Sequence, residues 1–262
     1  MCRLAAYLGP EISLGRFLME PAHSLYRQSW EPKEMDEAVL NADGFGFGWV
    51  NQSKQIAIYT STQPIWSDTN LASLSNSLHS RYWLANVRSA TPGQQITQTN
   101  THPFKIDQLL FTHNGYIENF NPKIRSIFHD VLDASIQADI QGNTDSEYLF
   151  ALLRQQLMQT PDIAQGILGM VSKLSEIVTD EKVLLNLIIG DGSQFYVLRH
   201  AINGQCPSLY YSVDENDFPE AIVIASEALT ESEKWPTVPE HSYSTIAQSL
   251  INKNTFPDFI SL

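Results

Sequence analysis

Two amphipathic helices stand in the middle of a chain that otherwise reads as strand after strand, and this order constrains the fold more than any single motif. Thr144-Asp145-Ser146-Glu147 opens the first helix as a capping box, with Thr144 at N-cap and Glu147 at N3. Leu149, Phe150, Leu152, Leu153 and Leu157 give that helix its apolar face. Pro161 is expected to start the second, which continues through Ile163, Ile167, Leu168, Val171, Leu174 and Ile177. Before the helices, apolar or alternating runs predict strands over 3–8 (closed by Gly9-Pro10), 55–60, 82–87 and 108–112. After them come 183–189 and 195–198, a hairpin about Asp191-Gly192, then 209–213 and 221–225. Leu71, Leu74 and Leu78 predict a helix over 68–78 capped by Asp68 or Thr69, and residues 14–19 suit a helical turn. Residues 20–35 read as irregular, and the tail after about 230 is weakly patterned. Hairpins without βαβ alternation point to mainly antiparallel sheets packed with helices, an α+β fold. With no repeat and no linker, residues 1–262 are expected to form one domain.

Charge and cysteine usage narrow the partners. The net charge is -13, with no basic stripe to neutralise phosphates, so nucleic acid is not expected. The greasiest run, 183–190, has strand length rather than membrane-span length. No basic region followed by an apolar one opens the chain. Two cysteines, Cys2 and Cys206, make no disulfide framework, and a cytoplasmic location is expected. The seven histidines are scattered without metal-ligand spacing, so no metal or cofactor is expected.

Cys2 is the candidate nucleophile. Removal of Met1 would leave one residue with both a thiol and a free α-amine, whose ordinary pKa is roughly 7.7–8.0. Such an amine can act as base for a thiol, which at an ordinary pKa of about 8.5 is mostly protonated. Asn41-Ala42-Asp43-Gly44-Phe45-Gly46-Phe47-Gly48-Trp49-Val50 suits a turn entering a strand at a close backbone approach. The 82–87 strand delivers Arg88, followed by a polar loop over 89–103 with Thr91-Pro92-Gly93 and Thr101-His102-Pro103. The 108–112 strand runs into His113-Asn114-Gly115, where Asn-Gly is by itself a hairpin-turn signal.

Taken together, Cys2, Arg88-Ser89-Ala90-Thr91, Asn114-Gly115-Tyr-Ile-Glu-Asn and Thr144-Asp145-Ser146-Glu147 resemble the class II glutamine amidotransferases, a branch of the N-terminal-nucleophile hydrolases. The resemblance runs over roughly residues 2–230. It implies a four-layer α-β-β-α sandwich with two antiparallel sheets. It also implies that Cys2 attacks a γ-glutamyl amide, that Asn114 and Gly115 form the oxyanion hole, that Arg88 binds the substrate α-carboxylate and Asp145 its α-ammonium, and that Thr91 touches substrate. Asn41 stands where many members have Arg, and the Ser of their motif is absent, so 41–46 is read as wall structure. His102 is read as loop structure or pocket lining, His113 as structural, and Cys206 is given no role. The opening residues and the 41–49 and 86–93 segments look most like the stand-alone ergothioneine-pathway amidohydrolases. That group implies a small γ-glutamyl substrate such as γ-glutamyl hercynylcysteine sulfoxide. The alternatives are a glutaminase subunit feeding ammonia to a partner synthase, a hydrolase of glutathione or γ-glutamyl peptides, and an inactive γ-glutamyl-binding relative. A homo-oligomer is compatible with all of them.

Overall fold

The computed structural model describes residues 2–34, 40–91, 94–252 and 255–262. The expected loss of Met1 and the Pro92-Gly93 part of the polar loop lie outside these residues. Twelve strands are described: β1 (Arg3–Ser13), β2 (Phe45–Val50), β3 (Ile56–Ser61), β4 (His79–Val87), β5 (Phe104–Ile106), β6 (Leu109–Ile117), β7 (Val183–Gly190), β8 (Gln194–Ile202), β9 (Tyr210–Glu215), β10 (Phe218–Ala225), β11 (Ser242–Ala247) and β12 (Ile260–Ser261). They form two six-stranded antiparallel sheets, ordered β3-β2-β4-β1-β10-β9 and β12-β11-β8-β7-β6-β5. The helices are α1 (Leu14–Leu18), α2 (Leu25–Gln28), α3 (Leu71–Ser77), α4 (Arg125–Val131), α5 (Ala134–Gln137), α6 (Asp145–Leu157), α7 (Ile163–Ile177) and α8 (Gln248–Asn252).

Strand alternation sorts side chains into three apolar layers and so sets four structural ones. On β1, Ala5 and Tyr7 pack outward with Leu14 and Phe17 of α1 and Leu71 of α3. Leu4, Ala6 and Leu8 point the other way, to Leu110, Ile188 and Val197 of the second sheet. Leu185, Leu187 and Ile189 on β7 meet Leu149, Leu152 and Leu153 of α6 and Ile167 and Leu174 of α7. Buried on both faces, β7 carries an almost continuous apolar run. Each fully buried leucine on α6 is worth roughly 1.5–3 kcal/mol, more than the ~1 kcal/mol of a Thr cap. Packing therefore holds α6 to the sheet, and Thr144, whose Oγ accepts from Glu147 N, fixes where it begins. Among the described residues no helix is long and apolar enough to cross a membrane.

Several boundaries differ from the pattern reading for identifiable reasons. Strand β1 continues past Gly9-Pro10 to Ser13 through a register shift between Leu8 and Ile12, where a bulge tolerates both residues. Asn114-Gly115 is not a hairpin turn; β6 runs through it, paired to Asn186 and Leu185. Helix α7 starts after Asp162, whose carboxylate accepts from Ala164 N and Gln165 N, so Pro161 lies before the cap rather than in the first turn. Helix α3 starts at Leu71, after Asn70. Residues 20–35, expected to be irregular, include α2, capped by Ser24. The weakly patterned tail supplies β11, whose inward residues are Ser242, Ser244 and Ile246. Two buried serines mute the hydrophobic alternation there.

Candidate active site

The register of the two central strands brings the first motif together. Arg3 pairs with Val87 and Leu4 with Asn86, so Cys2 comes opposite Arg88. Cys2 is half-buried, and its thiol donates weakly to Ser89 O at 3.8 Å. On the other flank β1 pairs with β10, and Leu4 N donates to Ser226 Oγ at 3.0 Å. The next side chain is clamped as well: Arg3 and Glu227, both 1% exposed, form an ion pair at 3.3 Å. Glu227 also meets His23 Nε2 at 2.7 Å and accepts from the amides of Lys33 and Glu34. Burial alone would raise the Glu227 carboxyl, but these bonds and the Arg3 charge outweigh it and hold the pKa below its ordinary value. This clamp fixes the chain one residue after Cys2, and no sequence motif announces it.

Arg88 directly follows β4 and is 2% exposed. Its guanidinium donates, at 3.3–3.4 Å, to Asp43 O, Gln95 O and Gln94 Oε1. Burial lowers its pKa, against the charges of Cys2, Asp43 and Asp145, which favour the cation. Long bonds to neutral oxygens leave this buried cation suited to a ligand carboxylate. Asp43 sets the local backbone: its Oδ2 accepts from Ala90 N at 2.8 Å, and its N donates to Arg88 O at 2.9 Å. Gly44, at φ +111°, closes that turn and accepts from Arg88 N. The wall read at 41–46 is thus the brace of the Arg88–Ala90 loop.

The facing sheet supplies the second half. Asn86 Nδ2 donates across the interlayer to Thr112 Oγ1 at 3.3 Å. Two residues further along the same inner faces come Arg88 and Asn114. Asn114 is fully buried, and neither its amide nitrogen nor its oxygen has a hydrogen-bond partner among the described residues. An unpaired buried amide costs about 1–3 kcal/mol and calls for an explanation. Gly115 follows; a Cβ there would lie 1.8 Å from Leu184 O, so only glycine fits against β7.

Asp145, the first residue of α6, ties the helix to the same strand. Its Oδ2 accepts from Ile117 N and its Oδ1 from Ser146 N, both at 2.8 Å. A carboxylate has about four acceptor positions, so capacity remains for a cation. Glu147 does not complete a reciprocal capping box; its carboxylate accepts from the amides of Gln141 and Gly142. His113 bridges the two elements, with Nε2 2.9 Å from Leu184 O and Nδ1 2.9 Å from Ser146 Oγ. Because a carbonyl only accepts, Nε2 carries the proton and the Ser146 hydroxyl donates to Nδ1. Thr91 is exposed and, with Gln94, Tyr116, Asn143 and Asp145, lines a cleft of about 410 Å³.

His102 is buried, with neither ring nitrogen bonded among the described residues. Burial drives it well below its ordinary pKa, with His113 and Arg88 adding to the effect. Burial also lowers His113, against Asp145 and the Leu184 carbonyl. Both rings are neutral in the fold and protonate on unfolding once pH drops below about 6.5. The unfolded chain then binds more protons, so stability rises with pH in this range and is lost as pH falls from about 6.5 toward the folded values. Chemical denaturation from about pH 7.5 to 5 should show this loss, at up to about 1.4 kcal/mol per pH unit per ring. A flat profile would mean that the rings are charged in the folded protein.

Comparison with known proteins gives a concordant picture. The family model described as glutamine amidotransferases class-II matches residues 24–250, a span that begins after Cys2. A probable glutamine amidotransferase of Saccharomyces cerevisiae, DUG3, is 29% identical over 300 residues, covering 96% of this chain and 83% of that protein. The γ-glutamyl-hercynylcysteine sulfoxide hydrolase of Mycolicibacterium smegmatis is 28% identical over 241 residues, covering 92% of this chain and 93% of the relative. Among solved structures, a glutamine aminotransferase class-II domain protein from Silicibacter pomeroyi superimposes with a TM-score of 0.68 at 22% identity, covering 100% of this chain and 99% of that one. That likeness concerns the fold, and it agrees with the two stacked antiparallel sheets.

Proposed function

Since this chain belongs to the class II glutamine amidotransferases, we propose that it is an amidohydrolase that releases glutamate from a small γ-glutamyl compound through a thioester on Cys2. The observation that carries the reading is the buried Asn114 carboxamide, without a partner among the described residues, on the inner face opposite the one that leads to Arg88. A developing oxyanion is the partner that such a preset donor lacks.

The proposed steps give each residue one role. The Cys2 thiol gives its proton to its own α-amine, which requires that Met1 be removed, and the sulfur attacks the γ-carbonyl carbon. Asn114 Nδ2 and the Gly115 N–H stabilise the tetrahedral oxyanion. The protonated amine passes its proton to the leaving nitrogen, the C–N bond breaks, and a glutamyl thioester remains. Water then attacks the thioester, regenerating the thiol and releasing glutamate. Arg88 holds the α-carboxylate and Asp145 the α-ammonium, with Thr91 at the rim of the cleft. Relatives named γ-glutamyl-hercynylcysteine sulfoxide hydrolase support a substrate with a larger leaving group than ammonia. DUG3, named a probable glutamine amidotransferase, supports the second reading, a glutaminase serving a partner.

Glutamate release from glutamine, glutathione and γ-glutamyl hercynylcysteine sulfoxide separates these readings. The sulfoxide is expected to have the highest kcat/KM. Preference for glutamine, rising when a partner synthase is added, would overturn that expectation. Asp145→Asn keeps a group that can accept from Ile117 N but removes the charge. It should lower kcat/KM about 10–100-fold, mainly through KM, the cost of one hydrogen bond to a charged group. It should also abolish discrimination against glutaryl analogues that lack the α-ammonium. Retained discrimination would remove Asp145 from the proposed site.

A further inference from the structure

A second cluster of reactive side chains lies outside the cleft. Cys206 Sγ, a nitrogen of His241 and a carboxylate oxygen of Glu240 all lie within 4.8 Å of one another. His241 Nδ1 is 3.9 Å from Cys206 Sγ and 3.0 Å from His200 Nδ1. Two imidazole nitrogens at that distance have room for one proton between them or for a shared ion. Ligands on one tetrahedral zinc, with bonds of about 2.0–2.3 Å, stand roughly 3.3–3.6 Å apart. The 3.9 Å between Cys206 Sγ and His241 Nδ1 is close to that value, and a Glu240 oxygen lies within 4.8 Å of both, so small side-chain rotations suffice for these three; His200 adjoins the group through its contact with His241.

The surroundings hold this cluster in place. Arg199, beside His200 on β8, donates from Nε to Pro207 O at 2.8 Å and from Nη1 to Val238 O at 2.6 Å. It thereby clamps together the two segments that carry Cys206 and Glu240-His241. It also approaches Glu240 at 3.5 Å, as an outer partner orienting a carboxylate ligand. Val238 N donates to Leu209 O and Leu262 N to His241 O, fixing the same crossing from two more sides. Cys206 is buried against Leu184 and Ala201, with Tyr116 packed on the same cluster, and Tyr116 lines the candidate cleft. The sequence shows no metal motif, because the donors come from the loop after β8 and a segment some 35 residues on, brought together by the fold.

We propose that Cys206, His241 and Glu240, with His200 beside His241, form a binding site for a borderline-soft divalent cation of the zinc class. A thiolate, an imidazole and a carboxylate suit zinc rather than magnesium or calcium, which take oxygen donors. The site stands behind the Tyr116 wall of the cleft and is separate from the proposed chemistry at Cys2.

The full chain, stripped with a chelator and titrated with zinc chloride by calorimetry, should bind one ion per chain and melt at a higher temperature when loaded. Cobalt should give a thiolate-to-metal charge-transfer band. Cys206→Ser should abolish that band and weaken zinc binding by at least the roughly 10–100-fold that loss of an outer-shell partner costs. His241→Ala, at an exposed position, should weaken zinc equally and serves as the check if Cys206→Ser folds poorly. Cys2→Ser should bind zinc as the wild type does. Zinc binding that is absent from the wild type, unchanged in Cys206→Ser and His241→Ala, or lost in Cys2→Ser overturns the proposal. None of these readouts depends on turnover.

Discussion

Cys2→Ala is expected to reduce glutamate release to background, a loss on the order of 10⁵–10⁶ in kcat if removal of the nucleophile has the scale known for other hydrolases. It should do so without unfolding the protein. Cys2 is half-buried and makes one weak bond, 3.8 Å to Ser89 O, so its removal should move stability by no more than about 0.5 kcal/mol. The pairing of an unchanged melt with abolished turnover is what marks a nucleophile rather than a packing residue. Intact mass extends the test: active protein should lack Met1, and a slow substrate should leave a glutamyl adduct on the wild type alone. Activity retained in Cys2→Ala, or full activity in protein that keeps Met1, would sink the thioester mechanism.

The second large effect is expected at Asn114. Loss of one oxyanion donor costs about 10²–10³ in kcat, or roughly 2.7–4 kcal/mol. Asn114→Ala should fall in that range with KM little changed, because the interaction exists only once the oxyanion forms. Its neighbour in register, Asn186, is the control. Its amide donates to Ser208 O at 2.7 Å, so Asn186→Ala should lose stability by about 1–3 kcal/mol while kcat moves far less. If the two variants exchange these signatures, the oxyanion role belongs elsewhere.

How much of this could be read from the sequence follows from how far each signal reaches. The central helices, the buried β7 run and the β7–β8 hairpin are local patterns, and they emerge where periodicity places them. Strand β11 escapes because its inward residues include two serines, which carry no hydrophobic signal. Arg88, Asn114, Gly115 and Asp145 enter as candidates only through a family resemblance, and each reading competes with a bland local one. Asn-Gly even suggested a turn, whereas burial between two sheets keeps it extended. The Arg3–Glu227–His23 clamp and the Cys206–His200–His241 cluster were not legible at all. Their members lie far apart in the sequence and meet through the fold and side-chain bonds, which spacing along the chain does not encode.

The position of β1 has a consequence for the order of events during synthesis. Leu4 N and Ser226 Oγ are bonded across 222 residues, and β1 is flanked by β4 on one side and β10 on the other. The first strand made is therefore among the last to be enclosed. At about 5–20 residues per second, the ribosome needs on the order of 10–40 s to deliver the strand that completes its pairing. Through that interval β1 lacks its β10 neighbour. The long loop to be closed slows folding, and the proposed trimming of Met1 would have the same interval in which to act.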